Sequence, residues 1–404
     1  MRLRWSALET ARVVDARQRF TALVLGVIVA SFGGLVLAAA EGTLTSLPGL
    51  LLLVPGAIAL RGNVFGAMGS RLGTAVHAGT FRMTVHRDGV VGQNLIAAAV
   101  LTVTLSTVLA VLAKSTTVVF GLSPAMTLAE FVVVSTLGGL LASVALAAVT
   151  MSLAAGSVRF GWDFDNVIAP LVTTLGDLLT VPALVIMAVW VDRSRSTDAL
   201  AIALALGSTV ALLVAWRTPR DRLRGIVRQS VPVLGVAAVF DLVAGLTLEK
   251  RLDDLLDAEV VLVLLPAFLG AAGALGAILS SRLSTQFHLG LDDASPLPSR
   301  SSIRNITDLA VLGMPVFLIG ALMAHLIAHL TGQSTPGLAD LIVVTLIAGV
   351  MATMLMVLVA YYTTMGSFRL GLDPDTYGIP TVTSTLDLVG VFTLVLAMAT
   401  VGVI

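Results

Sequence analysis

Asp177 and Asp387 are the residues of this chain with the most chemistry to explain. Asp177 follows an apolar run opening at Val167, which puts it roughly 15 Å into a helix, near a bilayer's centre. An ionised side chain there costs at least about 2.5 to 3.5 kcal/mol. The phrase then recurs: Asp163, Pro170 and Asp177 are matched by Asp373, Pro380 and Asp387, with both seven-residue spacings kept. Two such acids facing each other would neutralise a doubly charged ion, or each could anchor its helix by hydrogen bonding. Thr173 and Thr383 lie four residues before the two acids, on the same helix faces, and Thr174, Ser384 and Thr385 add polar surface. Pro170 and Pro380 favour a helix's first turn.

Positioning these groups requires a membrane scaffold. The chain has 404 residues, 57% hydrophobic and 12% charged, with a mean hydropathy of +1.00. Soluble domains carry about 25% charged residues, so an all-α polytopic membrane protein is expected. Zero net charge says nothing about partners, because the charges are segregated by side of the membrane. The absence of cysteine excludes disulfides, thiolate metal sites and cysteine nucleophiles. Residues 1–19, with five Arg, are too long and too charged for a signal-peptide start and read as a cytoplasmic lead-in.

Apolar windows predict eleven spans: 20–41, 47–69, 93–113, 126–155, 167–190, 198–216, 230–249, 258–280, 305–330, 338–365 and 378–403. With the N-terminus inside, eighteen Lys and Arg fall on inner segments and five on outer loops. That bias predicts a cytoplasmic N-terminus and an extracytoplasmic C-terminus in the cell membrane.

A long internal repeat organises the chain. Pro55, Gly62, Ser70, Arg71, Leu72, Thr74, His77 and Gly79 meet Pro266, Gly273, Ser281, Arg282, Leu283, Thr285, His288 and Gly290, each pair 211 apart. Asn94 and Asn305 keep the offset, and Glu130 and Asp340 differ by 210. Five spans in 20–191 therefore recur in 230–404. A five-span unit fused directly would insert its second copy upside down. The extra span in 192–229, with its basic connector, restores orientation, so two parallel five-helix repeats about a pseudo-two-fold axis along the membrane normal are expected.

These residues resemble the MgtE-type magnesium transporters. The duplicated form without cytosolic regulatory domains is similar to the solute carrier 41 branch. The resemblance covers nearly the whole chain and implies transport of a divalent cation, chiefly Mg²⁺, through a pore between two five-helix units. It implies that Asp177 with Thr173, and Asp387 with Thr383, hold the hydrated ion. The first copy reads Asp163 to Asn166 as DFDN and the second Asp373 to Thr376 as DPDT. Ala274 stands where the first copy has Asn63, so the halves are chemically unequal.

Mg²⁺ wants six oxygens and gives up water reluctantly, so a fitting pore offers few ligands and keeps several waters. Asn63 offers an amide oxygen, while Pro55, Pro266, Gly62 and Gly273 would interrupt or thin the second span of each repeat. Glu130 and Asp340 would attract cations at the outer mouth or simply start their helices. Asp241, with Ala30 as its counterpart, would take a coupling ion, Na⁺ being the candidate, or bond within the bundle. Arg71 and Arg282 would pair with Asp163, Asp165, Asp373 and Asp375, repel cations, or anchor at the interface. His325 and His329 share a helix face but lack a third metal ligand. The competing readings are another divalent cation (Mn²⁺, Co²⁺, Ca²⁺) and an intramembrane enzyme with Asp177 and Asp387 as an aspartyl dyad. Expected partners are the cation and membrane lipids, not nucleic acid, and the internal duplication favours a functional monomer.

Overall fold

The computed structural model describes the backbone of residues 2–403 except 78, 80, 123, 124, 161–163, 192, 193 and 373–376. Side chains are described for these residues apart from 2–15, 74, 77, 157, 158, 160, 164–171 and 173.

Backbone polar groups in lipid have no water to bond, so the apolar runs close their hydrogen bonds internally as helices. The first half holds α1 (Arg2–Ala39), α2 (Glu41–Ser46), α3 (Leu50–His77), α4 (Val90–Val119), α5 (Leu128–Phe160) and α6 (Phe164–Trp190). After α7 (Arg195–Arg217) come α8 (Asp221–Glu249), α9 (Leu252–Asp257), α10 (Val260–His288), α11 (Arg300–Thr331), α12 (Leu338–Arg369) and α13 (Ile379–Val401). Ten are long and apolar enough to cross a membrane, and α6 contributes the described apolar stretch Thr174–Trp190. The chain is thus an all-α polytopic membrane protein.

Each predicted span lies on one long helix. Several run further than hydropathy alone suggests, because amphipathic turns continue past the apolar window. The basic connector before the second repeat is largely the start of α8. The short helices α2 and α9 are too brief for a hydropathy window, yet they lie 211 residues apart.

The halves exchange their first helices. Helix α1 packs on α6 and on α10, while its counterpart α8 packs on α13 and on α3. The crossings are close enough to require glycine. A Cβ on Gly34 would sit 2.2 Å from the Val263 carbonyl oxygen, and one on Gly245 would sit 2.2 Å from that of Leu52. Both residues of one crossing are 211 positions from those of the other, so a single packing solution is used twice.

Helices α3 and α10 carry the most enclosed spans, and the core runs along them. Pro55 and Pro266 do not break these helices, contrary to expectation; both sit buried near the N-terminal end of an unbroken helix. The start of α3 is completed from the other half, where the Glu249 carboxylate accepts from Gly49 N at 2.5 Å and Leu52 N at 3.1 Å. Helix α7 is the least enclosed span and exposes Ile202, Leu206, Val210 and Val214 to the lipid side.

Candidate cation site

Helices α6 and α13 carry the two recurring aspartates to the contact between the halves. Asp177 is buried in α6. Its Oδ2 lies against α10 of the other half, 2.9 Å from where a Cβ on Gly270 would stand. Gly270 thus makes room for a carboxylate. Asp387, partly exposed on α13, is within electrostatic reach of Asp177.

A third carboxylate joins them. Asp241 on α8 is buried and also lies within electrostatic reach of Asp387. Its Oδ2 accepts from Ser384 Oγ at 3.2 Å, while its buried Oδ1 has no hydrogen-bond partner among the described residues. The helix exchange produces this meeting, since α8 packs on α13. Ala30, its counterpart on α1, brings no acid to Asp177.

One turn before Asp387, Thr383 Oγ1 donates to Asn63 Oδ1 across the two halves at 3.2 Å. A second geometry involves the Pro380 carbonyl at 3.1 Å. Asn63 also borders a cavity of about 20 Å³, room for one water, shared with Arg71, Ser230 and Pro380. The two glycines of the repeat differ. The Gly62 amide is 3.7 Å from a Cβ placed on Gly176, so it serves α3–α6 packing, whereas a Cβ on Gly273 would meet nothing within 4 Å. Thr174 Oγ1 faces α1, 3.0 Å from a Cβ on Gly26. The side chains of Thr173 and Asp165, and residues Asp163, Asp373 and Asp375, lie outside the described residues.

The remaining candidates stand apart from this cluster. Glu130 is buried in a capping box at the start of α5: Thr127 N donates to its Oε2 at 2.6 Å, and Glu130 N donates to Thr127 Oγ1 at 3.2 Å. Asp340 is exposed in the first turn of α12. His325 and His329 stack with ring centroids 6.5 Å apart, and no group of three or more His, Cys, Asp or Glu able to hold a metal occurs among the described residues. Arg71 Nε donates to Asn94 Oδ1 at 2.7 Å and Arg282 Nη1 to Asn305 Oδ1 at 3.2 Å, one bond in each repeat.

The repeat matches a known family twice. A family model described as divalent cation transporter, MgtE, matches residues 54–187 and again 265–397. The chain belongs to the MgtE family. Membership makes it a transporter of divalent cations rather than an enzyme, and sets the aspartyl-dyad reading aside. This MgtE-family chain is also similar to solute carrier family 41 member 3 of Mus musculus, 27% identical over 84% of the chain and 73% of the relative. Against member 3 of Rattus norvegicus it is 27% identical over 84% of the chain and 77% of that relative. Against member 2 of Homo sapiens it is 25% identical over 86% of the chain and 63% of that relative. No solved structure matches the chain significantly. Both matched segments include a mid-span aspartate, but Asp241 falls between them.

Sequence reasoning passed over two side chains of consequence. Glu249, at the end of α8, was silent because a helix-end acid is ordinary. Arg61 is a cation inside the predicted span 47–69, which in lipid is itself a signal.

Proposed function

We propose that the chain moves a hydrated divalent cation, chiefly Mg²⁺, along a path between two repeats, 20–191 and 230–404, joined by 192–229. Asp177 and Asp387 hold the ion electrostatically while it keeps most of its waters. Thr173, Thr383 and Asn63 bond the water shell, and Thr174, Ser384 and Gly273 line the route. The observation that carries this reading is that equivalent acids of the two repeats come within electrostatic reach of one another at the contact between halves. Carboxylate and hydroxyl oxygens with few direct ligands match the preference of Mg²⁺ for its own hydration shell. The open space beside Gly273 supports a route rather than a closed packing contact.

The inner-loop excess of Lys and Arg supports a cytoplasmic N-terminus, with the C-terminus outside. The internal duplication supports function as a monomer, and Asp241 is the place where a coupling Na⁺ would act.

The test is uptake of Mg²⁺ into proteoliposomes. Wild-type protein should load the vesicles, while Asp177→Asn and Asp387→Asn should each abolish loading without loss of folded protein. Undiminished uptake by both variants would overturn the paired-aspartate site. Parallel runs with Mn²⁺, Co²⁺ and Ca²⁺ rank the cations, and runs with and without a Na⁺ gradient read the coupling.

A further inference from the structure

Residues 217–228, which join α7 to α8, carry five Arg and a single acid, Asp221. Two of the five are neutralised. Arg220 Nε donates to Asp88 Oδ1 at 2.8 Å, and Arg224 bonds Asp221. Arg217, Arg222 and Arg228 have no carboxylate partner among the described residues.

Arg228 is nonetheless held in place, by neutral groups alone. Its Nη2 donates to the Trp216 carbonyl oxygen at 3.1 Å, and its guanidinium lies 5.6 Å from the centroid of the Trp216 ring. Neither partner is anionic, so the guanidinium keeps its full charge. The contact anchors Arg228 at the last turn of α7, the turn that also carries Arg217. Two like charges gathered on neutral partners repel, and an anion that reaches both relieves the repulsion. A phosphodiester suits them, because the guanidinium fork bonds phosphate oxygens in pairs.

Hydrocarbon surface leads up to these charges. Helix α7 exposes Ile202, Leu206, Val210, Leu213 and Val214, and steps of three and four residues keep them on one face. Arg217, also exposed, continues that stripe three residues after Val214. One face of α7 thus offers an apolar strip roughly 18 Å long that finishes on a cation. Helix α7 lies outside both segments that the family model matches.

We propose that the corner between α7 and α8 binds an anionic phospholipid. Its phosphate sits at Arg217 and Arg228, and an acyl chain follows Ile202, Leu206, Val210 and Val214. A soluble phosphate would engage the same guanidinium groups but leave the apolar strip unused; the continuity of strip and charge favours the lipid. Helix α7 packs on α4 and α5 of the first repeat, while α8 opens the second, so the bound lipid bridges the two halves.

The experiment reads Trp216 directly. Replacing Trp5, Trp162 and Trp190 by Phe leaves Trp216 as the one tryptophan of the chain. This protein is reconstituted in phosphatidylcholine vesicles containing a rising fraction of phosphatidylglycerol brominated on its acyl chains, a contact quencher of tryptophan. A parallel series uses brominated phosphatidylcholine. The anionic lipid should reach half-quenching at about one tenth of the fraction that the zwitterionic lipid requires. Arg217→Gln/Arg228→Gln in the same background should bring the two series together. Arg222 lies six residues before Arg228, about 120° away around α8, and Arg222→Gln should keep most of the preference. Millimolar glycerol 3-phosphate should leave the quenching unchanged, whereas a site for soluble phosphate would release the lipid.

The proposal is overturned if both lipids quench alike or if the double variant keeps the preference. It is equally overturned if Arg222→Gln abolishes the preference to the same extent, or if glycerol 3-phosphate reverses it. Should the double variant not fold, Arg217→Gln alone removes no hydrogen bond found among the described residues; it must lower the preference about threefold, or the proposal fails. None of these readings depends on cation transport.

Discussion

Asn63 and Thr383 stand 320 residues apart, yet the Thr383 hydroxyl donates to the Asn63 amide oxygen at 3.2 Å. The bond fixes α13 of the second repeat against α3 of the first, one turn from Asp387. It has no twin, because Ala274 occupies the position equivalent to Asn63. The equivalent position of the second repeat thus offers no side-chain amide for such a bond.

Removing that brace should be measurable. Thr383→Val and Asn63→Ala are each expected to destabilise the detergent-purified protein by about 1 kcal/mol. Their double variant should cost less than the sum of the two, because the same bond is lost once. Thermal melting of the four proteins gives the cycle, and strict additivity would show that the bond contributes nothing.

Two glycines on one helix should respond in opposite ways. Gly270→Ala places a methyl 2.9 Å from the Asp177 carboxylate and should sharply reduce Mg²⁺ uptake. Gly273→Ala, one turn on, enters open space and should leave the melting temperature unchanged while narrowing the route. Equal effects of the two variants on uptake and melting would contradict this arrangement.

The exchanged helices rest on Gly34 and Gly245. Alanine at either must push apart two backbones that would otherwise approach a methyl at 2.2 Å. Each substitution should cost about 1 to 3 kcal/mol or more, as overpacking does. Because the two crossings are equivalent, the two losses should be similar in size. Unfolding in a graded detergent series reads both.

Acid sensitivity has a clear candidate outside the spans. Partial burial raises the Asp292 pKa, but hydrogen bonds from Ser299, Ser302 and Ser301 outweigh this and hold it below the usual carboxylate value. Ser302 and Ser301 donate at 2.6 and 3.0 Å, and Ser299 Oγ bonds the same oxygen. A depressed folded pKa gives stability that is present above the unfolded value near about 3.9 and lost as pH falls through the folded value. Wild type should therefore lose melting temperature between about pH 5 and pH 3 more steeply than Asp292→Asn. Parallel slopes would rule out this contribution.

The sequence by itself determined the helices and their duplication. Both are local properties: an 18-residue apolar run has no stable alternative to a helix in lipid, and a repeat is visible residue by residue. Even the short α2 and α9 obey the offset, although their six residues escaped a hydropathy window. The recurring pair Asp177 and Asp387 was legible for the same reason, since its spacing to a proline is written twice.

Only the tertiary structure decided which of the enclosed charges meet. Asp241 comes within reach of Asp387 because α8 crosses to α3 and α13, an exchange that no spacing along α8 encodes. Glu130 reads in sequence as either a mouth residue or a helix-start acid, and its carboxylate closes a capping box at the start of α5. Arg61 and Phe317 fill equivalent niches only because Gly139 and Gly349 face them from neighbouring helices. Helical periodicity says which residues share a face; the close approach of backbones at glycine says what that face meets.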